Sequence, residues 1–458
     1  MATTVGPDLS HDRISNLPES ILVTIISSLR MDEAARCSIL CSRWRHLFPS
    51  TLLDFQASPS SRRINLVKAV TSILAANPDA PIRSFRTGSL CFGREDKAAL
   101  DGWLQDLSNR GIEELFLYFK YTEEDNRRRI PKSLFACSSL KRLDASNGVF
   151  PSTTEAAAAS LARLTEINLS DVKISEDSLQ SLISQCPVLE RLTANFMGKL
   201  DRLHLRSRSL KVLRSTGNFE ELFIDDAPNL EYLLGRFMHQ RKVHIKIVHA
   251  PKLEFLARLG MSNTIDIGET SFKKELIHVK TLMPSIKTLS VKLSHDEKGY
   301  MEEGYVEWLM QLLKLCPCLE TLYIKSSSWS RACDTAPGSW ETQRSVPCID
   351  NHLEKVVIEV YRGHEWQRDM AKFLHGRSRF LKTMEFHCMD DGSGTRECFG
   401  KPPSEEWVRE QKELLCLDSR AARDTRFLFF KRQLVDNHHE VCHDERYQRD
   451  YYRDLYDV

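Results

Sequence analysis

The sequence has no surplus of either charge and no long apolar run. Lysine plus arginine total 64 and aspartate plus glutamate total 63, so no basic excess is available to neutralise nucleic-acid phosphates. No stretch approaches the roughly 18 apolar residues of a membrane-spanning helix. Residues 1–12 lack the basic and apolar regions of a secretory signal. We therefore expect a cytoplasmic or nuclear protein that binds neither nucleic acid nor membrane.

The 13 cysteines also lack the dense, even spacing of a disulfide framework. We expect them to be reduced and buried as small apolar side chains. Two pairs have spacings that metal or redox sites also use: Cys37 with Cys41, and Cys316 with Cys318. The first pair falls on a predicted helix and the second at a junction between repeats, so core thiols are the expectation for both.

No catalytic constellation is present at a spacing that supports one. Residues 437–443 contain three histidines and one cysteine, which are zinc-ligand types, but no second half with a paired Cys-x-x-Cys or His-x-x-x-His accompanies them, so a solvated tail is the expectation. The glycines near Ser393 lack the lysine of a phosphate-binding loop. We expect no catalytic residue, metal or cofactor, and a charged tail over residues 431–458.

The first fifty residues contain a strongly apolar helical pattern. From Ile14 onward, apolar residues recur at the three-and-four spacing of one helical face: Leu17, Ile21, Leu22, Ile25, Ile26 and Leu29. Pro18 suits the first turn of a helix, where its missing N–H has no cost. Shorter helical segments follow Asp32 and Cys41. Three helices in about 35 residues bury too small a core to be stable alone, so the sequence predicts docking on another surface.

Residues 12–19 (DRISNLPE), 25–29 (IISSL) and 34–45 (AARCSILCSRWR) resemble a plant F-box. F-boxes are helical motifs that bind a Skp-type adaptor, which bridges to a cullin, so the resemblance implies both partners. It also implies that certain apolar positions contact the adaptor or pack within the motif: Leu17, Pro18, Ile21, Ile25, Ile26, Leu29, Leu40 and Trp44. The alternative is that residues 18–48 form a small helical cap on the repeats and bury their apolar face internally.

Repetition begins beyond residue 110, with leucine-like residues at positions i, i+3 and i+5. Full copies start at Ile112, Leu164, Leu200, Phe219, Ile286, Leu319, Leu353 and Leu381. Half-copies intervene at Leu140, Leu189, Leu210, Leu230 and Leu253. Starts lie roughly 20–34 residues apart, broadly the leucine-rich-repeat period. Each unit is expected to be a strand plus a connector that buries its apolar face only by stacking on its neighbours.

Several of these copies follow a (Cys/Ala)-Pro-x-Leu-Glu step, as at residues 186–190, 227–231, 250–254 and 316–320. These steps resemble the repeats of plant F-box proteins, and residues 347–384 resemble the FBD module that ends many of them. The fold class is therefore predicted as α/β, a three-helix F-box followed by an irregular leucine-rich-repeat solenoid. The expected boundaries are F-box 12–55, linker and helical lead-in 56–110, repeats 111–345, FBD-like repeats 346–430 and tail 431–458.

Side chains alternate along each predicted strand, so residues i+2, i+4 and i+6 of a copy are expected on one exposed, concave wall. That rule selects residues 114, 116, 118; 166, 168, 170; 202, 204, 206; 221, 223, 225; and 321, 323, 325. The candidate target-binding residues among them are Phe116, Tyr118, His204, Phe223 and Tyr323, because exposed aromatics often anchor interfaces. The alternative is that neighbouring side chains cover these rings.

The resemblance implies a substrate-recognition subunit of an SCF-type (Skp-cullin-F-box) ubiquitin ligase, which holds an unknown protein target on its repeats while other subunits perform the chemistry. A second hypothesis is a non-degradative scaffold that uses the same F-box. An enzyme is disfavoured because no catalytic arrangement is found. The sequence leaves the identity of the target open.

Overall fold

The computed structural model describes residues 14, 17–27, 29, 33, 37, 43–44, 53–55, 66–76, 81–87, 97–119, 128–218, 220–237, 243–261, 263–273, 276–278, 281–293, 304–326, 340, 345–388, 404–415 and 425–431. They fall into two compact units. The first comprises residues 1–292 and 307–319, and the second comprises residues 293–306 and 320–458. Each unit is described by itself.

The α-helices are α1 Glu19–Ser27, α2 Leu66–Ala76, α3 Lys97–Asn109, α4 Glu155–Ala159, α5 Glu176–Gln185, α6 Tyr305–Leu315, α7 Pro347–Asn351, α8 Glu365–Arg377 and α9 Glu405–Leu414. A 3-10 helix covers Lys132–Ala136. The strands are β1 Leu53–Phe55, β2 Ser84–Thr87, β3 Glu114–Tyr118, β4 Arg128–Arg129, β5 Arg142–Ser146, β6 Gly148–Val149, β7 Glu166–Ser170, β8 Arg191–Lys199, β9 Arg202–Arg206, β10 Val212–Asn218, β11 Glu221–Asp226, β12 Tyr232–Phe237, β13 His244–Ile247, β14 Phe255–Gly260, β15 Thr264–Ile267, β16 Thr270–Lys273, β17 Leu276–His278, β18 Thr288–Lys292, β19 Thr321–Lys325, β20 Lys355–Tyr361, β21 Thr383–Cys388 and β22 Arg426–Lys431.

The first unit is built on a parallel main sheet with the strand order β1-β2-β3-β5-β7-β8-β10-β12-β14-β18. Inward-facing side chains such as Leu143, Ile167 and Leu192 are buried in register and form one continuous core. The apolar positions of the repeat pattern therefore do what their spacing predicts: each strand buries its leucines only against the strands beside it.

The connections between main-sheet strands change along the first unit. From β3 to β8 the chain returns through the 3-10 helix, α4 and α5. From β8 onward it returns through strands instead, and these form a second sheet with the order β9-β11-β13-β15-β16-β17. The strands β9, β11, β13 and β15 run parallel, whereas β16 and β17 pair antiparallel.

This arrangement corrects the sequence interpretation of the repeats. The copies starting at Leu200 and Phe219, predicted as full repeats, form β9 and β11 of the second sheet. The half-copies at Leu189, Leu210 and Leu230 lead into main-sheet strands β8, β10 and β12. The i, i+3, i+5 pattern fits both cases because strands of either sheet bury alternate leucines.

The second unit contains a four-stranded parallel sheet with the order β19-β20-β21-β22. Tyr361, the last residue of β20, is buried. Its hydroxyl donates to Gln411 Oε1 at 3.0 Å, and its ring packs edge-on against Trp407 of α9. Ser404 caps the start of helix α9, and its side chain accepts the N–H of Trp407 at 3.1 Å. Helix α9 therefore covers the end of β20.

The predicted mixture of helices and repeat strands is confirmed. The three-helix count and the solenoid form stay predictions. The first of the three helices is α1, and the residues of the second and third segments lie mostly outside the described part of the chain.

Candidate functional site

The first candidate surface begins at α1. The N–H groups of Ile21 and Leu22 donate to the carbonyl of Pro18 at 3.0 and 3.1 Å, so the helix starts directly after this proline. Glu19 stands in the first turn, where its negative charge favours the positive end of the helix dipole. The sequence prediction of a helix beginning at this point is confirmed, although the helix ends at Ser27 rather than Leu29.

A small core lies behind α1. Leu22, Ile26 and Trp44 are almost completely buried and form one cluster. Half-buried side chains pack around it: Leu17, Val23, Ile25, Leu29 and Cys37. Arg43 Nη2 donates to the Leu17 carbonyl at 2.9 Å, which ties the residues around Trp44 to the start of the helix. Of the predicted F-box residues, Ile26 and Trp44 therefore serve internal packing.

Beside this core, apolar side chains at the start of α1 and just before it are exposed. Ile14 is 55% exposed and Ile21 is 45% exposed, and Pro18 between them is also exposed. Ile25 is half-buried at the next position of the same three-and-four spacing. We call Ile14, Pro18 and Ile21 the docking stripe, whereas Ile25 packs against the core. Exposed apolar side chains this close together at the start of a helix are a candidate interaction surface.

Two residues of this region were missing from the predicted set. Leu22 is a central core residue and Ile14 is the most exposed part of the stripe. Both belong to the helical periodicity seen in the sequence, so the signal was present, but family positions alone left them out. Leu40 was predicted to belong to the set and lies outside the described residues.

The second candidate surface is the outward face of the main sheet, which holds Phe116 and Tyr118. The prediction of an exposed Phe116 ring is wrong, because this residue is only 2% exposed. The guanidinium of Arg86 lies over the ring at 4.2 Å from its centroid and that of Arg142 at 5.1 Å. Tyr118 is half-buried at the end of the same strand.

Next to Phe116, the same face carries a chain of hydrogen bonds across four strands, β5, β7, β8 and β10. Asn168 Nδ2 donates to Asp144 Oδ2 at 3.0 Å, and Ser170 Oγ donates to Asn168 Oδ1 at 3.2 Å. Asn195 Nδ2 then donates to Ser170 Oγ at 3.4 Å, and the Thr216 hydroxyl donates to Asn195 Oδ1. These polar groups satisfy one another and fix the shape of the face.

His204 and Phe223 lie elsewhere, on the outward face of the second sheet. The two rings stack at 4.8 Å between centroids, and Lys246 Nζ lies 5.1 Å from the Phe223 centroid on the next strand. Phe223 is thus held between two cross-strand neighbours and is half-buried. The prediction that one wall presents these residues together with Phe116 and Tyr118 is wrong, because the chain alternates between two sheets.

Tyr323, the remaining candidate, lies on β19 of the second unit and is half-buried. Its cross-strand row continues through Val357 and Glu385 to Leu428. Burial alone would raise the pKa of Glu385, but hydrogen bonds from His387 and Lys355 outweigh burial and hold this pKa below its usual value. Glu385 is therefore ionised and orders the charged part of this face.

The cysteines described in the structure are free thiols. Burial raises the pKa of Cys137 to about 11 and the pKa of Cys186 to about 12, so neither is ionised at neutral pH. Of the cysteines predicted as core thiols, Cys316 is buried, Cys37 and Cys318 are half-buried, and Cys41 lies outside the described residues. No group of three or more His, Cys, Asp or Glu within the described ranges is arranged to hold a metal ion. None of the helices that the structure describes is both long and apolar enough to cross a bilayer.

Three family profiles match the chain. "F-box domain" matches residues 14–56, "FBD-associated F-box protein At5g56370, LRR repeats" matches residues 100–324 and "FBD" matches residues 342–386. The first of these spans α1 and the docking stripe, and the other two span repeat strands in both units.

Curated relatives come from Arabidopsis thaliana. "F-box/FBD/LRR-repeat protein At1g13570" is 32% identical over 241 residues, which cover 50% of this chain and 55% of the relative. "F-box protein At3g59000" is 26% identical over 446 residues, covering 85% of this chain and 89% of the relative. A solved leucine-rich-repeat protein of Leptospira interrogans matches with a TM-score of 0.28 and 14% identity, over 76% of this chain and 83% of that chain.

Proposed function

The chain belongs to the plant F-box proteins that carry leucine-rich repeats and an FBD segment, and from this premise we propose that it is the substrate-recognition subunit of an SCF-type ubiquitin ligase. F-box domains in general bind a Skp-type adaptor within such complexes. The finer proposal is that this chain binds the adaptor through the docking stripe and that the adaptor links it to a cullin. The repeats then hold a protein target, in the cytosol or nucleus.

The observation that carries the proposal is the separation of apolar residues around α1. Leu22, Ile26 and Trp44 complete an internal core, which leaves Ile14 and Ile21 exposed beside it. Water solvates such a stripe poorly. Each Å² of its apolar surface that a partner removes from water stabilises the complex by roughly 25 cal/mol. An adaptor with an apolar groove therefore stabilises this end of the chain.

The chain itself needs no bond-making residue for this role. A bound target is held close to a ubiquitin-loaded enzyme carried by other subunits, which raises the effective concentration of its lysines at that enzyme. We accordingly propose a non-catalytic subunit without a metal or cofactor.

Charge on the docking stripe tests the adaptor contact. The variant Ile21→Asp should weaken adaptor binding at least about 30-fold, since a buried apolar contact at an interface centre is worth about 2 kcal/mol or more. The measurement is titration of purified adaptor by calorimetry. Ser20→Asp is the matched control, because Ser20 is an exposed neighbour on α1 outside the stripe. Equal affinity of Ile21→Asp and the parent chain contradicts the proposal.

The scaffold alternative shares this contact and differs in its consequence for the target. Affinity purification followed by peptide identification should recover an adaptor, a cullin and the bound target. Deleting the chain should then lengthen the half-life of that target and reduce its ubiquitination. If every co-purified partner keeps the same half-life and the same ubiquitination, the scaffold function is correct.

A further inference from the structure

Among the described residues, the last strand of the second unit's sheet has one unpaired edge. Strand β22 pairs with β21 in parallel register, and the N–H of Arg426 donates to the Lys382 carbonyl at 2.9 Å. Since successive residues of a strand direct their backbone groups to opposite sides, the N–H and C=O groups of Phe427 and Phe429 point away from β21. Within the described ranges, no strand pairs with that side of β22.

Between its two basic ends, this edge lacks the bulge, proline and charge that usually prevent strand pairing. Natural edge strands are commonly short, bulged, or interrupted by proline or charge. The sequence of β22 is RFLFFK, which has neither proline nor glycine, and its pairing with β21 runs without a register shift. Leu428 is 37% exposed and Phe430 is 43% exposed on one face of the strand. By contrast β1, the edge strand of the first unit, has only 3 residues.

The other face of β22 is firmly held, which makes the edge a rigid template. Phe429 stacks on Phe386 at 4.7 Å between centroids, and Phe427 stacks on the buried ring of His375 at 5.1 Å. A partner strand would therefore find its hydrogen-bonding groups already in place, which lowers the entropic cost of binding.

Charge decides what kind of strand fits. Both ends of β22 are basic, with Arg426 at the start and Lys431 at the end. An antiparallel second copy would bring the basic end of each strand beside the basic end of the other, and like charges across a strand pair are destabilising. A six-residue strand also buries far less than the roughly 800 Å² per partner of a stable interface.

We propose that the free edge of β22 binds an extended segment of another protein, with alternating apolar residues between acidic ends. The backbone of Phe427 and Phe429 supplies the strand hydrogen bonds, Leu428 and Phe430 contact the apolar side chains, and the two basic ends attract the acidic ones. This contact is weak and transient by its size, and it is independent of the docking stripe at the other end of the chain.

The experiment uses the purified full chain and two fluorescein-labelled peptides, Asp-Val-Thr-Val-Thr-Val-Asp and the same core with lysine at both ends. Fluorescence anisotropy should show at least about 10-fold tighter binding of the acidic peptide. The double variant Arg426→Glu with Lys431→Glu should reverse that preference. Leu428→Thr with Phe430→Thr should weaken binding at least 5-fold, because the peptide then buries less apolar area, and each Å² lost costs about 25 cal/mol.

Phe380→Thr is the matched control, since Phe380 is 53% exposed in the same unit but outside β22. It should leave binding unchanged, and circular dichroism melting should show that each variant stays folded. Equal binding of the two peptides, no binding of either, or no reversal in the charge-swapped variant overturns the proposal. Two further outcomes overturn it. If a chain ending at Lys431 binds at least 10-fold more tightly than the full chain, the chain's own tail covers the edge. If Leu428→Thr with Phe430→Thr breaks a dimer in sedimentation, a second copy covers it.

Discussion

Within the first unit, repeats that return through helices differ from repeats that return through strands. Paired main-sheet residues advance by 24 and 25 positions from Leu143 to Ile167 to Leu192, where α4 and α5 connect the strands. They advance by 21 and 20 positions from Leu192 to Leu213 to Leu233, where β9 and β11 connect them. A helix rises about 1.5 Å per residue and a strand about 3.3 Å, so the shorter repeats suit a strand return. For these four steps repeat length follows the type of the outer layer, whereas the later strand-return steps from Leu233 to Leu256 and from Leu256 to Leu289 take 23 and 33 residues.

The two regions bury their outer layers differently. Helix α5 contributes the buried residues Leu179, Leu182 and Ile183, whereas β9 contributes Leu203 and Leu205. Alternation in β9 leaves every second side chain outside, so the second sheet has a continuous charged and aromatic outer face. The strand region therefore gives the repeats a second flat surface that the helix region lacks.

The largest expected effect tests whether both outer layers are true core. Leu182→Ala in the helix region and Leu203→Ala in the strand region should each cost about 2–5 kcal/mol in the free energy of unfolding, because both side chains are buried. The measurement is urea denaturation. Arg202→Ala, an exposed position of β9, should stay within about 0.5 kcal/mol of the parent. A cost below about 1 kcal/mol for Leu203→Ala would mean that the second sheet is only a surface layer.

A smaller effect is expected at the junction of the two regions. Glu176, in the first turn of α5, accepts the backbone N–H of Arg202 at 2.8 Å and so caps the edge of β9. Glu176→Ala and Asp177→Ala both remove a negative charge from the start of α5, but only the first removes this hydrogen bond. Glu176→Ala should therefore cost about 1 kcal/mol more, with faster hydrogen exchange at the Arg202 amide. Equal costs would show that the junction needs no cap.

The leucine spacing predicts where the strands of this repeat region lie, but it does not predict which of the two sheets a strand joins. The spacing Leu164-Ile167-Leu169 leads to main-sheet strand β7, while the same spacing in Leu200-Leu203-Leu205 leads to β9 of the second sheet. Apolar alternation reports burial of one face and carries no information about the partner sheet. The Pro-x-Leu-Glu steps did carry it, since those at 186–190, 227–231 and 250–254 all precede main-sheet strands.

The candidate surfaces show the same division. Helical periodicity around α1 predicted the side chains that form its core and docking stripe, because burial follows from spacing. Phe116 was misjudged because its exposure depends on Arg86 and Arg142 from neighbouring strands, and only the strand register brings those guanidiniums over the ring. The pairing of His204 with Phe223 likewise depends on register.

The smallest effect tests whether the outer face of the strand region stabilises itself. A double-mutant cycle of His204→Ala and Phe223→Ala should give a coupling energy of about 0.5 kcal/mol, the usual size for a cross-strand pair on a half-exposed face. The same cycle with His249→Ala and Phe223→Ala should give a coupling near zero, because His249 pairs with Asp226 instead. If the first coupling is also absent, the Phe223 ring gains nothing from its stack and is as free to contact a partner as an exposed aromatic.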